Sequence, residues 1–287
     1  MALSPRARII AIKLLKEEKH VYAIVAPAIA SQFAYAKLGQ VVTGIKQLGF
    51  YEVVEAALGA DMVAYAEAKE LAEKGFLTSS CCPAFVSYVH KQFPMLSENV
   101  SHNMSPMATI AKFIKGMDNE AKTIFIGPCT AKKGEAQLPG VREYVDCVMT
   151  FEELQGMLDS RDIELTELEE TDLNNASGFG RSFARCGGLA EAAVEALKEQ
   201  GIDFEVKPVS CSGIEECRLA LLKASKGRAE GNFIEGMACI GGCINGAGCL
   251  THGERNKNKI DAHSRQAKDK TIVESLHGAE TGLEAAK

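Results

Sequence analysis

Residues 233–248 read FIEGMACIGGCINGAG. The first five, Phe233–Met237, have the length and apolar character of a buried strand. They run straight into a glycine-rich loop that carries Cys239 and Cys243. In open parallel α/β sheets, ligands bind outside the carboxyl ends of the strands. Glycines at such an end let the backbone come close to a bulky group.

Two other segments end the same way. Phe76–Ser79 reads as a strand, followed at once by Cys81 and Cys82, with Pro83 opening a helix. Thr123–Ile126 reads as another, followed by Gly127, Pro128 and then Cys129. Further strands are expected at Tyr22–Ala26, Tyr51–Glu55, Val145–Met149 and Phe204–Pro208. Helical patterns fall between them, at Leu38–Leu48, Leu58–Lys74, Ala84–Gln92, Met107–Met117, Phe151–Ser160, Leu189–Gln200 and Ile214–Ala224. The polar stretch Glu167–Ser177 reads as a loop. This alternation predicts an α/β fold with mainly parallel, twisted sheets flanked by helices. At roughly 150 residues per domain, the length allows two lobes with a cleft between them. The expected division is an N-terminal α/β lobe over 1–120 and a second over 121–253. A polar tail over 254–287 should hold one helix near Asn258–Glu274 and then fray.

Of the 287 residues, 46% are hydrophobic and 24% charged, which suits a globular chain. A net charge of −6 speaks against a nucleic-acid-binding surface. No apolar run is long enough to predict a membrane span. Near the start, Lys13 breaks the run Ile9–Ile12, so no signal-peptide core is expected. Ser4 and Pro5 read instead as the cap and first turn of an amphipathic helix with Ile9, Ile12 and Leu15 on its apolar side. A cytoplasmic location follows as the expectation. There, cysteines among the ten are expected as ligands or catalysts sooner than as disulfides.

Converging thiolates hold either zinc or an iron–sulfur cluster. Compact zinc modules use CxxC knuckles, and none occurs in this chain. Iron–sulfur clusters accept thiolates from scattered segments. A chain of clusters would need a CxxCxxC motif, also absent, so any cluster would be a single site. Cys147 and Cys217 fall inside a strand and a helix and read as buried structural thiols.

Three motifs, in order, resemble the catalytic domain of [FeFe]-hydrogenases. They are Thr78-Ser79-Ser80-Cys81-Cys82-Pro83-Ala84-Phe85, Pro128-Cys129-Thr130-Ala131-Lys132-Lys133-Gly134-Glu135, and Glu235-Gly236-Met237-Ala238-Cys239-Ile240-Gly241-Gly242-Cys243. The family patterns are TSCCPxW, PCxxKxxE and ExMxCxxGC, and the resemblance runs from about Tyr22 to Gly253. Val25-Ala26-Pro27, Ser105-Pro106 and Gly187-Gly188 also look like family positions. The resemblance implies an H-cluster, a [4Fe–4S] cubane joined by a cysteine sulfur to a two-iron subsite with carbon monoxide, cyanide and azadithiolate. By the motifs, Cys82, Cys129, Cys239 and Cys243 would ligate the cubane, with Cys243 bridging. Cys81 would be the last proton-transfer thiol. Lys132 would bind a cyanide, Met237 and Phe183 would lie against the cluster, and Ala26, Pro27 and Ser105 would line its pocket. Glu135 reads equally as a partner of a lysine or as a surface charge.

By the same resemblance, protons would pass along Cys81, Glu67, Ser101 and Glu70 to solvent. Glu67 and Glu70 are three apart and share a helix face. The implied activity is reversible reduction of protons to H₂ in an anaerobic setting. Electrons would come from a ferredoxin or an electron-transfer subunit, and maturation proteins would build the subsite. Non-catalytic relatives in iron–sulfur cluster assembly, and hydrogen sensors, share the fold and stand as alternatives. The chain departs from the best-known catalytic members at Gly127 (methionine there), Met107 (glutamine) and Phe85 (tryptophan). Cys186 and Cys249 are extra thiols beside motif glycines.

Overall fold

The computed structural model describes residues 5–285. Strands β1 (Val21–Val25), β2 (Glu52–Glu55), β3 (Leu77–Thr78), β4 (Lys122–Gly127), β5 (Cys147–Thr150), β6 (Pro208–Ser212) and β7 (Phe233–Met237) form two sheets. The first sheet has the order β2-β1-β4-β5 and the second β3-β7-β6, and every pair is parallel. Parallel neighbours need crossovers, and helices supply them on both faces.

Apolar periodicity explains the layers. In β7, Phe233 and Ile234 point to opposite faces. Phe233 packs with Leu189, Ala193 and Leu197 of the helix Gly188–Glu199, and Ile234 packs with Phe85, Val89 and Leu221 from two helices on the other side. The helix Ala56–Lys74 joins the two sheets. Its first turn packs in the core of the first sheet, and Ala60, Ala64, Ala68 and Leu71 pack in that of the second. Glu67 and Glu70 lie on this helix.

Each sheet takes strands from both sides of residue 120, so the boundary expected there separates neither sheet. A cut at that point would divide both. The expected strand at Phe204–Pro208 lies later, at Pro208–Ser212. Phe204 and Val206 pack as an irregular segment against the second core, and Asn232 holds the backbone of Lys207 and Glu205 at 2.7 and 2.8 Å. The ladder with β7 starts only at Pro208, whose missing N–H is tolerated at a strand's first residue.

The tail is two helices, Arg255–Arg265 and Ile272–Ala285, rather than one. Thr271 and Glu274 form a reciprocal cap that starts the second. Glu199 also accepts from the N–H groups of Ile272 and Val273. Ile272 is fully buried, so the tail does not fray at the point expected. In the helix Pro5–Glu17, the buried face is Ala7 and Ala11, flanked by Ile10 and Leu14, while Ile9 and Ile12 are exposed. The Ser4 cap lies outside the described residues.

A buried ion pair ties the loop after residue 168 to the end of β2. Arg181, 1% exposed, donates to both carboxylate oxygens of Glu55 at 2.7 and 2.8 Å. Its other donors reach the carbonyls of His263 and Leu173 and the Asn174 side chain. Arg181→Ala strands the Glu55 charge in the interior and should cost about 3–5 kcal/mol in urea unfolding, whereas Glu55→Gln/Arg181→Met should cost less than Arg181→Ala alone. A loss below about 1 kcal/mol for Arg181→Ala, the size of a surface ion pair, would contradict this assignment.

Candidate metal centre

The carboxyl ends of both sheets face one place. β1 leads into Ala26 and Pro27, β2 into Ala56, β3 into Cys81 and Cys82, β4 into Pro128 and Cys129, and β7 ends on Met237 before Cys239 and Cys243. All of these except Cys239 line a cavity of about 70 Å³, and Cys239 lines a second of about 130 Å³ beside it. Cys82, Cys129, Met237 and Cys243 border both.

The larger cavity is ringed by Cys82, Cys129, Cys239 and Cys243. Among the described residues, no three histidine, cysteine or carboxylate side chains are grouped closely enough for one metal ion. Four thiols set around a space suit a polynuclear body. Burial raises the thiol pKa of Cys129 and Cys239, the latter to about 11, and lifts that of Cys243 far above the ordinary range. Lys132 works in the opposite direction on Cys129 and Cys243. Four thiolates in such a place require a cationic core between them, and the residues therefore fit an iron–sulfur cluster.

The loop Cys239–Cys243 is held by backbone. Ser212 at the end of β6 accepts from the N–H of Gly241 at 2.8 Å, and the Cys186 N–H donates to the Gly241 carbonyl at 3.1 Å. Gly242 has φ +98°, and a Cβ there would lie 2.7 Å from the Cys186 nitrogen, so only glycine fits. Cys249, buried, turns its S–H to the carbonyls of Ile244 and Cys243. Cys147 and Cys217 are buried away from the ring of four.

The smaller cavity is walled by Ala26, Pro27, Met107, Phe125, Phe183 and Met237, with Cys81 and Lys132 as its polar groups beside the shared thiols. Ser105 stands apart from the wall. It caps the helix Pro106–Met117 by accepting from the N–H of Ala108, and that helix supplies Pro106 and Met107 to the wall. Lys132 points inward, 8% exposed, and donates to the Cys81 carbonyl at 3.2 Å. Glu135 pairs with it at 2.7 Å, off the angle of a hydrogen bond, so Glu135 is the lysine's partner and not a surface charge. Burial opposes the Lys132 charge, but Glu135 outweighs it and holds the ammonium above its ordinary pKa. Lys133 faces elsewhere and pairs with Glu153.

Cys81 keeps some accessible surface where it borders the cavity and is otherwise enclosed. Burial first, then the Glu67 charge, pushes its thiol far up, so it is neutral at pH 7. Glu67 is 1% exposed and neither of its oxygens has a hydrogen bond of ordinary geometry, although the Ser101 hydroxyl and the Ser80 amide lie near enough to favour its charge. Burial, reinforced by Glu70 and Glu235, pushes its pKa up to about 8. The Ser101 hydroxyl donates to Glu70 at 3.0 Å, and Ser101 is itself hung on β3 through Thr78. Burial disfavours the Glu70 charge, but Lys74, the His102 amide and Ser101 outweigh it and hold the carboxyl low.

Sequence reasoning missed Asn103 and Lys74 around Glu70, at 2.9 Å each. Adjacency to Ser101 and the i,i+4 spacing from Glu70 were the available signals. It also missed the role of Glu235. That buried carboxylate accepts from the N–H groups of Gly187 and Ala190 and from Ser210, anchoring the helix Gly188–Glu199 to β7.

Residues 19–247 match the family model described as the iron only hydrogenase large subunit, C-terminal domain. The chain belongs to that family. Iron hydrogenase 1 of Clostridium pasteurianum is 30% identical over 91% of this chain, which spans 55% of that protein's length. A cytosolic Fe-S cluster assembly factor of Xenopus tropicalis is 24% identical over 64% of this chain and 49% of its own. A variant [FeFe]-hydrogenase from Chlamydomonas reinhardtii superposes with a TM-score of 0.76 at 21% identity, covering 96% of this chain and 93% of that one, and so shares the fold. No helix among the described residues is long and apolar enough to cross a membrane.

The unpartnered Glu67 makes a pH test. Its folded pKa of about 8 exceeds the ordinary 4.5, so the folded state keeps a proton that the unfolded state has released between those values. Stability should therefore fall as pH rises through that window, by on the order of 1 kcal/mol per pH unit from this group, and level off above it. In the metal-free protein, Glu67→Gln should remove this contribution. Urea unfolding from pH 5 to pH 8 reads it, and parallel curves for the two proteins would refute the assignment.

Proposed function

We propose that this chain catalyses 2H⁺ + 2e⁻ ⇌ H₂ at an H-cluster. The observation that carries the reading is the pair of adjoining cavities, one ringed by Cys82, Cys129, Cys239 and Cys243, the other holding Cys81 and Lys132. When bound, the cluster would supply electron storage in its cubane and an open iron site with a neighbouring amine base. The four thiolates would hold the cubane, and Cys243 would bridge by its motif position, with Cys82 and Cys129 also bordering both cavities. Lys132 would offer N–H donors to an anionic ligand such as cyanide. The apolar wall keeps bulk water from the reacting centre.

The chain's own part in proton transfer begins at Cys81. Its Sγ carries a proton at neutral pH without placing a fixed charge in the wall. Glu67, protonated and therefore neutral up to about pH 8, is the titratable neighbour that bears most on it after burial. Ser101 donates to Glu70, whose ionised carboxylate stands at the surface end of the line. Electrons would enter from a ferredoxin or an electron-transfer subunit, and maturation proteins would install the two-iron part. Ten unpaired cysteines favour a reducing, cytoplasmic setting.

A second reading is an iron–sulfur protein of cluster assembly, favoured by the likeness to the Xenopus assembly factor. Such a role needs the ring of four thiols but gives no work to Cys81, Lys132 or the smaller cavity.

Anaerobic reconstitution of the cubane, followed by a synthetic two-iron azadithiolate complex, separates the readings. Infrared carbon monoxide and cyanide bands that shift under hydrogen are the expected result. A cubane without such bands would leave the assembly reading standing. Cys81→Ala should keep the bands and lose turnover by a factor of about 10² or more, the usual contribution of a positioned proton donor.

A further inference from the structure

We propose that Phe125 sets the size of the smaller cavity by occupying the volume that a side chain at position 127 would take. The use of that cavity rests on the reading above, but the wall itself is a property of the metal-free protein. Phe125 and Gly127 are two apart in β4, so they share one face of the sheet. A Cβ placed on Gly127 would lie 2.5 and 2.8 Å from Cε1 and Cζ of the Phe125 ring, and 3.1 Å from the Cβ of Ala26. Carbon atoms repel well outside those distances, their optimum being about 3.5–4.0 Å.

Ala26 is poorly placed to give way. Its N–H donates to the Ile126 carbonyl at 2.9 Å, and Pro27 follows at the start of a short helical turn. The ring must yield instead. It is buried and forms part of the cavity wall with Phe183, Met107 and Met237. A ring displaced from Gly127 has the cavity as its open side, and a cavity of about 70 Å³ is small enough to be closed by it. The pair therefore acts as one unit: glycine at 127 lets the ring lie back, and the ring limits what fits beside Cys81 and Lys132.

The test uses reduced, metal-free protein and reads Cys81 labelling by tandem mass spectrometry, with iodoacetamide and the bulkier N-ethylmaleimide as probes. Cys217, fully buried and outside the cavity, is the internal control for general loosening. Phe125→Ala should speed Cys81 labelling about tenfold relative to Cys217, more for the larger reagent, because access no longer waits on a local opening. Phe125→Leu should give a smaller rise and guards against a poorly folded alanine variant. Gly127→Ala should slow labelling and lower the Tm, and in the Phe125→Ala background it should do neither. Cys81 rates within twofold of the parent for both Phe125 variants, or a Gly127→Ala penalty unchanged when the ring is gone, would overturn the proposal. Neither readout depends on cluster formation, so failure of the hydrogenase reading would leave this result distinct.

Discussion

In a parallel ladder the chain must cross back over a face before it can add the next strand, so all carboxyl ends fall along one side. Here two such sheets turn those ends toward a common space, and the helix Ala56–Lys74 packs in both cores. Whatever follows a strand is delivered to that space. Cys82 arrives from β3, Cys129 from β4, and Cys239 and Cys243 from β7, although they are far apart in sequence. The ring of thiols exists only while both sheets keep their order. Fixing points such as the Glu55–Arg181 pair and Glu235 on the helix Gly188–Glu199 therefore belong to the site as much as its lining does.

The second organising fact is desolvation. Around the smaller cavity the protein buries a lysine, a glutamate beside it and an unpartnered glutamate, and largely encloses a thiol. Each has a different remedy. Lys132 and Glu135 cancel each other at close range. Cys81 stays protonated because ionising it there is unfavourable. Glu67 has no cation and no ordinary hydrogen bond, so it too keeps its proton. A buried polar group left unmatched costs stability, and a chain selected for stability alone would replace it. Under the proposed function, its influence on Cys81 and its nearness to Ser101 would give that cost a purpose in moving protons.

Much of this was legible in the sequence because the signals are local. The apolar run Phe233–Met237 is a strand with those bounds, and Ile214–Ala224 a helix with those bounds. The cysteines could be placed because each follows a strand directly. Readings that depended on partners far away in the chain fared worse. Phe204 and Val206 look like strand residues but pack as coil, because the Asn232 side chain sets where pairing with β7 begins. The sharing of both sheets across residue 120 is a matter of strand order, which no composition shift marks. Periodicity puts Ile9 and Ile12 on the apolar side of their helix, yet small Ala7 and Ala11 are the residues buried in the core. The break in the tail was legible and overlooked: Thr271 and Glu274 have the spacing of a reciprocal cap.

The tail shows how structure outside the matched region can serve the centre within it. Every residue lining either cavity falls inside 19–247, the span that matches the family. Residues beyond it act from behind. The Asn256 side chain donates to the carbonyl of Ile244, the residue after Cys243, and so holds the end of the Cys239–Cys243 loop. His263 gives its carbonyl to Arg181, which in turn holds Glu55 at the root of the helix Ala56–Lys74. Ser275 donates to Asp61 on that same helix, one turn after the cavity-lining Ala56 and two turns before Glu67. The tail thus bears on the thiol loop at one end and on the helix that carries Glu67 and Glu70 at the other. The cavities are lined from within the family match and braced by contacts from beyond it.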